Sequence, residues 1–219
     1  MLFRSVRIIL ACFVTWAVLT PAAVALPIEG ALPGWEPDTV SFDYSADGRT
    51  LRGHIDFAVY DDFPGSFPSN GQYLYAYQIF NSPQSDGPID SLCIGISEGA
   101  SVGLIGWDSY QVDDGIEPTY SYFSPSPGSA QGALFMFLPG VIGKGVIEDG
   151  DYSVILVFTS SRLPTRGRGI IQGGGLGQVV EDLPAPLPEP ATVFLLGIGG
   201  AILTITGRKH RPGRRFGRR

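Results

Sequence analysis

The chain has 219 residues, 30 of them Gly and 18 Pro, with 44% hydrophobic content, which is too apolar for a disordered chain and too rich in turn formers for a bundle of long helices. The formal net charge is -6, yet all 21 acidic residues fall between positions 26 and 190, beside only 6 basic ones, a local net of -15. Nucleic acid, held largely by Lys and Arg on phosphates, is therefore excluded as a partner of that stretch.

Arg4 and Arg7 make a short basic head, residues 8–19 are apolar, and small residues follow, with Ala23 and Ala25 at the -3 and -1 places of an A-x-A site. Basic head, apolar run and small-residue exit together read as a secretory signal peptide over 1–25, cut by signal peptidase after Ala25. The twelve-residue run is short of the roughly 20 residues that cross a bilayer as a helix, which argues against an uncleaved anchor. Cys12 lies inside that run, too early for a lipid-modified cysteine.

Residues 26–181 are expected to form the exported domain, and the pattern in them is β. Runs at 40–44, 51–60, 73–80, 92–96, 102–107, 120–123, 134–138 and 152–158 are aromatic or β-branched and bounded by Gly, Pro, Asn and Asp, which is how strands are punctuated. Asp47-Gly48 marks a turn. Eight strands at this spacing predict an all-β domain, a β-sandwich or jelly-roll-like fold. The run 152–158 is apolar on both parities and is expected to be flanked by strands on both sides. Residues 167–177 are Gly-rich and read as a long loop, or as a weak last strand around Ile170 and Ile171.

Residues 182–190 hold four Pro in nine positions and predict an extended, semi-rigid stalk. Pro188 and Pro190 stiffen its end around an exposed Glu189. Residues 191–207 carry no charge over seventeen positions, about 25 Å as a helix, enough for a short transmembrane segment. Gly197 and Ala201 form a small-xxx-small pair of the kind that packs membrane helices together. The tail 208–219 then opens with Arg208, Lys209, Arg211, Arg214 and Arg215, and Lys/Arg excess marks the cytoplasmic side. The exported domain is thus expected outside the cytoplasm, in agreement with the signal peptide.

Pro188-Glu189-Pro190, a short Gly-rich apolar helix and an Arg-rich end, in that order near the C-terminus and opposite a signal peptide, resemble the PEP-CTERM sorting signal. The resemblance covers roughly residues 187–211. It implies a Gram-negative envelope protein processed at the inner membrane by an exosortase that recognises Pro188-Glu189-Pro190, with the domain then delivered to the cell surface or to an exopolysaccharide and biofilm matrix. The additional Arg residues after Arg211 depart from the shorter tails of that signal and strengthen retention on the inside.

The domain itself offers little chemistry. His54 is its one histidine, and Asp56 shares its strand face, but no G-x-S-x-G element accompanies them. One His and one Cys cannot supply a zinc site. Cys93 reads as a small core residue in its strand. Glu148, Asp149 and Asp151 lie in a turn and are the best calcium candidate, although no calcium-loop spacing is met. Tyr73, Tyr75 and Tyr77 share one parity. If Leu74, Ala76 and Phe80 face the core, the tyrosines, with Trp107, form an outward platform for sugar rings; if the tyrosines face the core, they do not. The reading of the whole chain is a non-enzymatic surface or matrix protein, with a carbohydrate-binding sandwich or an ordinary single-pass anchored domain as alternatives. No cofactor other than calcium is indicated.

Overall fold

The computed structural model describes residues 26–96, 101–109, 114–124, 131–140 and 145–186. The expected signal peptide, Pro-Glu-Pro motif, apolar segment and basic tail lie outside the described residues. Within them the strands are β1 (Asp38–Ala46), β2 (Arg49–Tyr60), β3 (Tyr73–Asn81), β4 (Ile89–Ile96), β5 (Val102–Asp108), β6 (Tyr120–Ser124), β7 (Gln131–Met136), β8 (Ile155–Ser160), β9 (Pro164–Gly173) and β10 (Leu176–Pro186). They form two five-stranded antiparallel sheets, ordered β1-β2-β3-β8-β5 (sheet A) and β10-β9-β4-β7-β6 (sheet B). The architecture is all-β, a sandwich of two sheets. Among the described residues there is no helix, so none long and apolar enough to cross a membrane.

Local chemistry sets the hairpins. Asp47 and Gly48, both at positive φ (54° and 74°), join β1 to β2, the backbone that a two-residue hairpin requires to match strand twist. Gly174 and Gly175, at φ 57° and 80°, do the same between β9 and β10. That second hairpin overturns the long loop expected over 167–177 and bears out its alternative, a strand around Ile170 and Ile171, which runs from Pro164 to Gly173. It also shortens the expected stalk: residues 182–186 belong to β10, with Leu183, Pro184, Ala185 and Pro186 buried. Pro is tolerated there because β10 is an edge strand, where alternate N–H groups have no neighbour to bond. The strand expected at 152–158 begins instead at Ile155, with Tyr152 and Ser153 joined to β3 and to Ile116 by isolated bridges. It is flanked on both sides, by β3 and β5.

The core lies between the sheets. Sheet A contributes Phe42, Ile55, Phe57, Tyr75, Tyr77 and Phe158, and sheet B contributes Leu92, Ile94, Phe135, Ile171 and Leu183. Phe158 is its aromatic centre: its ring stacks on Tyr75 at 4.9 Å and on Tyr77 at 6.0 Å, and meets Phe123 of sheet B edge-on at 6.1 Å. A second apolar layer covers the outer face of sheet A, where Leu26, Phe63 and Phe67 lie over Ala58, Tyr60, Leu74, Ala76 and Val157. The loop that carries Phe63 and Phe67 is fixed by Asp108, buried at the end of β5, whose carboxylate accepts the Ser66 N–H at 2.7 Å and the Ser66 hydroxyl at 3.1 Å.

Emptying the aromatic centre removes both contact area and the stacking partners of two tyrosines. Phe158→Ala is expected to lower unfolding stability by about 3–5 kcal/mol, read as a reduced midpoint in urea. Tyr44→Ala, on an exposed position of β1, is the control and is expected to change it by less than about 0.5 kcal/mol.

Candidate functional site

The described end of the chain, β10, is held by three kinds of contact, and these define the site. First, β10 pairs with β9 from Leu176↔Gly173 to Pro186↔Pro164, with a bulge between Val180 and Leu183 at which Asp182 takes φ 63°. Secondly, Leu183 and Ala185 enter the inter-sheet core. Glycines on β9 make room for them: a Cβ at Gly167 would lie 2.7 Å from that of Ala185, and one at Gly169 would lie 2.7 Å from Leu183 Cδ1. Thirdly, the Tyr77 hydroxyl, on sheet A, donates to the Pro184 carbonyl on β10. This bond ties the last strand to the opposite sheet.

A shallow groove of about 490 Å³ opens beside the bulge, lined by Gly95, Thr165, Arg166, Arg168, Glu181 and Asp182 among others. Arg166 is its organising side chain. It donates from Nη1 to the Asp182 carbonyl at 2.8 Å, places Nη2 3.8 Å from Asp38 Oδ2, and sets its guanidinium 4.9 Å from the Trp35 ring and 5.4 Å from Phe57. These contacts join the β1 edge of sheet A to the β10 edge of sheet B. Arg168 donates to Glu181 at 2.7 Å across the same bulge. Both arginines of the groove are thus engaged, and its chemistry is that of a clamp on β10.

The tyrosine row faces inward. Tyr75 and Tyr77 are fully buried between the sheets, and Tyr73 and Trp107 are half-buried against the same core. The outward platform of Tyr73, Tyr75, Tyr77 and Trp107 is therefore overturned. Leu74 and Ala76 do face the other way, but into the second apolar layer rather than into the core between the sheets. Burial raises the Tyr75 and Tyr77 phenols well above the ordinary range, with a smaller contribution from the neighbouring tyrosine in each case, and burial alone does so for Tyr60. Their hydroxyls find acceptors on the backbone, Tyr75 on Arg162 at 2.8 Å and Tyr60 on Pro27 at 2.7 Å.

The remaining candidates are dispersed. His54 Nε2 is 4.0 Å from Asp56 Oδ1 and its ring stacks on Phe80 at 4.5 Å, while Asp56 accepts the Thr39 hydroxyl at 2.6 Å. The register sets Ser41 opposite His54, but Ser41 is exposed on β1 and no hydrogen bond joins the two side chains. Cys93 is half-buried, and burial raises its thiol pKa. Glu148, Asp149 and Asp151 are exposed on a turn closed by the Asp151 N–H on the Glu148 carbonyl at 3.0 Å. Among the described residues no three acidic, His or Cys side chains are grouped to hold a metal ion. Ala23, Ala25, Pro188, Glu189, Pro190 and the basic tail lie outside the described residues. Asp108 and Arg166 escaped the sequence reading, because the contacts that use them are long-range.

Comparison with known proteins adds no relative: no family model, no curated protein and no solved structure matches this chain.

A phenol whose folded pKa lies above the unfolded value of about 10 stabilises the fold in full below that pH and loses the contribution as pH rises beyond it. Titration followed at 295 nm is therefore expected to show Tyr60, Tyr75 and Tyr77 ionising only as the domain unfolds in alkali. Tyr77→Phe should strand the Pro184 carbonyl, lowering stability by about 1–3 kcal/mol and raising hydrogen exchange along 183–185 before the rest of the sheet.

Proposed function

We propose that the protein is an exported surface or extracellular-matrix protein, sorted by a PEP-CTERM signal and processed by an exosortase, whose β-sandwich is structural or binding rather than catalytic. The observation that carries the reading is the order of parts: a signal-peptide pattern over 1–25, a strand-rich acidic stretch, Pro188-Glu189-Pro190, an uncharged segment over 191–207 and an Arg-rich end. The fold is compatible with it at the joint. The last strand among the described residues reaches Pro186 and the motif begins at Pro188, so one residue separates that strand from the motif in sequence. An exosortase working at the membrane surface would then meet a short, Pro-stiffened peptide next to a closed domain whose final strand is clamped.

In this reading signal peptidase frees Leu26, the apolar segment holds the chain in the inner membrane with the basic tail inside, and the exosortase acts near Pro188-Glu189-Pro190. The domain is then carried to the cell surface or to exopolysaccharide. Its -15 net charge over residues 26–190 keeps it soluble and disfavours acidic partners.

The test is the intact mass of the protein recovered from the host's envelope and medium. The expected species begins at Leu26 and ends near Pro190, with any added mass at that end identifying an attachment. Replacing Pro188, Glu189 and Pro190 together by Ala should leave the chain in the membrane fraction at a mass that runs through Arg219. The same membrane-bound mass for the unaltered protein would mean an ordinary single-pass anchored domain and would overturn the sorting reading.

A further inference from the structure

The first described residue is already part of the fold. Leu26 is 2% exposed and belongs to the apolar layer on the outer face of sheet A, with Tyr60, Phe63, Leu74, Ala76 and Val157. The next residue is held as well. The Tyr60 hydroxyl donates to the Pro27 carbonyl at 2.7 Å, and Tyr60 is itself fully buried, its ring edge-on to Phe63 at 5.0 Å. Beyond them the segment is stitched to the end of β2. Ala31 bridges Tyr60, the Leu32 N–H donates to the Val59 carbonyl at 2.7 Å, and the Val59 N–H donates to the Trp35 carbonyl at 3.1 Å. Ile28, between these anchors, is exposed, so it is the tip of the segment, Leu26 with Pro27, that sits in a seat.

Leu26 is also the residue that follows the A-x-A site. Hydrolysis of the Ala25–Leu26 amide leaves a carboxylate on Ala25 and an ammonium on Leu26, and the protease must reach the chain on both sides of that bond. Cutting concentrates on exposed, little-bonded backbone, and a folded chain is cut through the population in which the segment is open. Leu26 and Pro27, as seated, are neither exposed nor unbonded. We infer that Leu26 closes the layer over sheet A and, in doing so, withdraws the Ala25–Leu26 bond from signal peptidase. Removal of the signal peptide therefore precedes the seating of this segment, and a chain that seats it first stays a precursor held at its N-terminus. The sequence leaves little slack to escape this. Six residues, 20–25, separate the apolar run from Leu26, about 20 Å when extended, so a seated Leu26 holds the domain against the membrane rather than feeding chain to the protease. One buried leucine side chain and one hydrogen bond keep the open population to about a tenth or less, which sets the size of the effect.

The inference rests on the signal-peptide part of the proposed function and is independent of the Pro188-Glu189-Pro190 motif. The full precursor, folded in detergent, is incubated with signal peptidase, and the appearance of Leu26 as N-terminus is followed by mass, with a synthetic peptide of residues 1–35 as the unseated reference. The folded precursor is expected to be cut about tenfold or more slowly than the peptide. Phe63→Ala removes a ring of the seat and Tyr60→Phe removes the bond to Pro27, and both leave the cleavage sequence intact. Each should speed the cutting of the folded precursor by about threefold or more, whereas Tyr44→Ala should leave it slow. Near-UV circular dichroism checks that these variants fold. If they do not, the unaltered precursor in urea below its unfolding midpoint decides, because its rate should there approach that of the peptide in the same urea while the near-UV signal persists. Equal rates for folded precursor and peptide, or a slow rate that neither a loosened seat nor low urea relieves, would overturn the inference. A peptide left uncut at Ala25–Leu26 would overturn the signal-peptide reading itself, and the inference with it.

Discussion

A phenol buried in a hydrocarbon core must keep a hydrogen bond or lose several kcal/mol of solvation, and Tyr77 is such a phenol. Its ring lies among those of Tyr75 and Phe158, and the acceptor it reaches is the carbonyl of Pro184 on the other sheet. The bond therefore sets how β10 sits over β3, and with it the placement of Leu183 and Ala185 in the core. The glycines at 167 and 169 leave room for those two side chains. Arg166 then closes the margin from outside by joining the Asp182 carbonyl to the aromatic surface of Trp35. Removing the acceptor strand would expose the core along its length, so the end of the described chain and the heart of the domain are one structural unit.

Strands β1 to β8 were legible because their signals are local: alternation, aromatic content and turn residues such as Asp47-Gly48. Strand β9 was legible only as an alternative around Ile170 and Ile171, and β10 not at all, and the reason is physical. Gly167, Gly169 and Gly173 read as loop because they carry no side chain, yet a Cβ at each would strike a neighbour; here glycine reports tight packing. Likewise Pro184 and Pro186 read as stalk, although an edge strand accepts proline. The facing of Tyr73 to Phe80 stayed open for a different reason. Both sides of β3 are buried, one by the core and one by the layer bearing Phe63 and Phe67, so alternation could not say which side was inner.

The distribution of charge gives the domain a sidedness that its composition hides. Acidic groups dominate the described surface overall, while the bulge on β10 carries the compensated pair Arg168 and Glu181.

The geometry of β10 also governs how the domain would bear mechanical load. The chain leaves at Pro186, paired with Pro164 at the open end of the β9–β10 hairpin and opposite the Gly174-Gly175 turn. Tension applied beyond Pro186 does not shear the strand along its full set of bonds; it peels the strand from its free end, one pair at a time. The first obstacle to peeling is the cross-sheet bond from Tyr77, followed by extraction of Leu183 from the core and then by the bulge held by Arg166. Resistance to pulling is thus concentrated in a few residues beside the exit, and a domain tethered there would yield first along β10 while the Phe158 stack stayed whole.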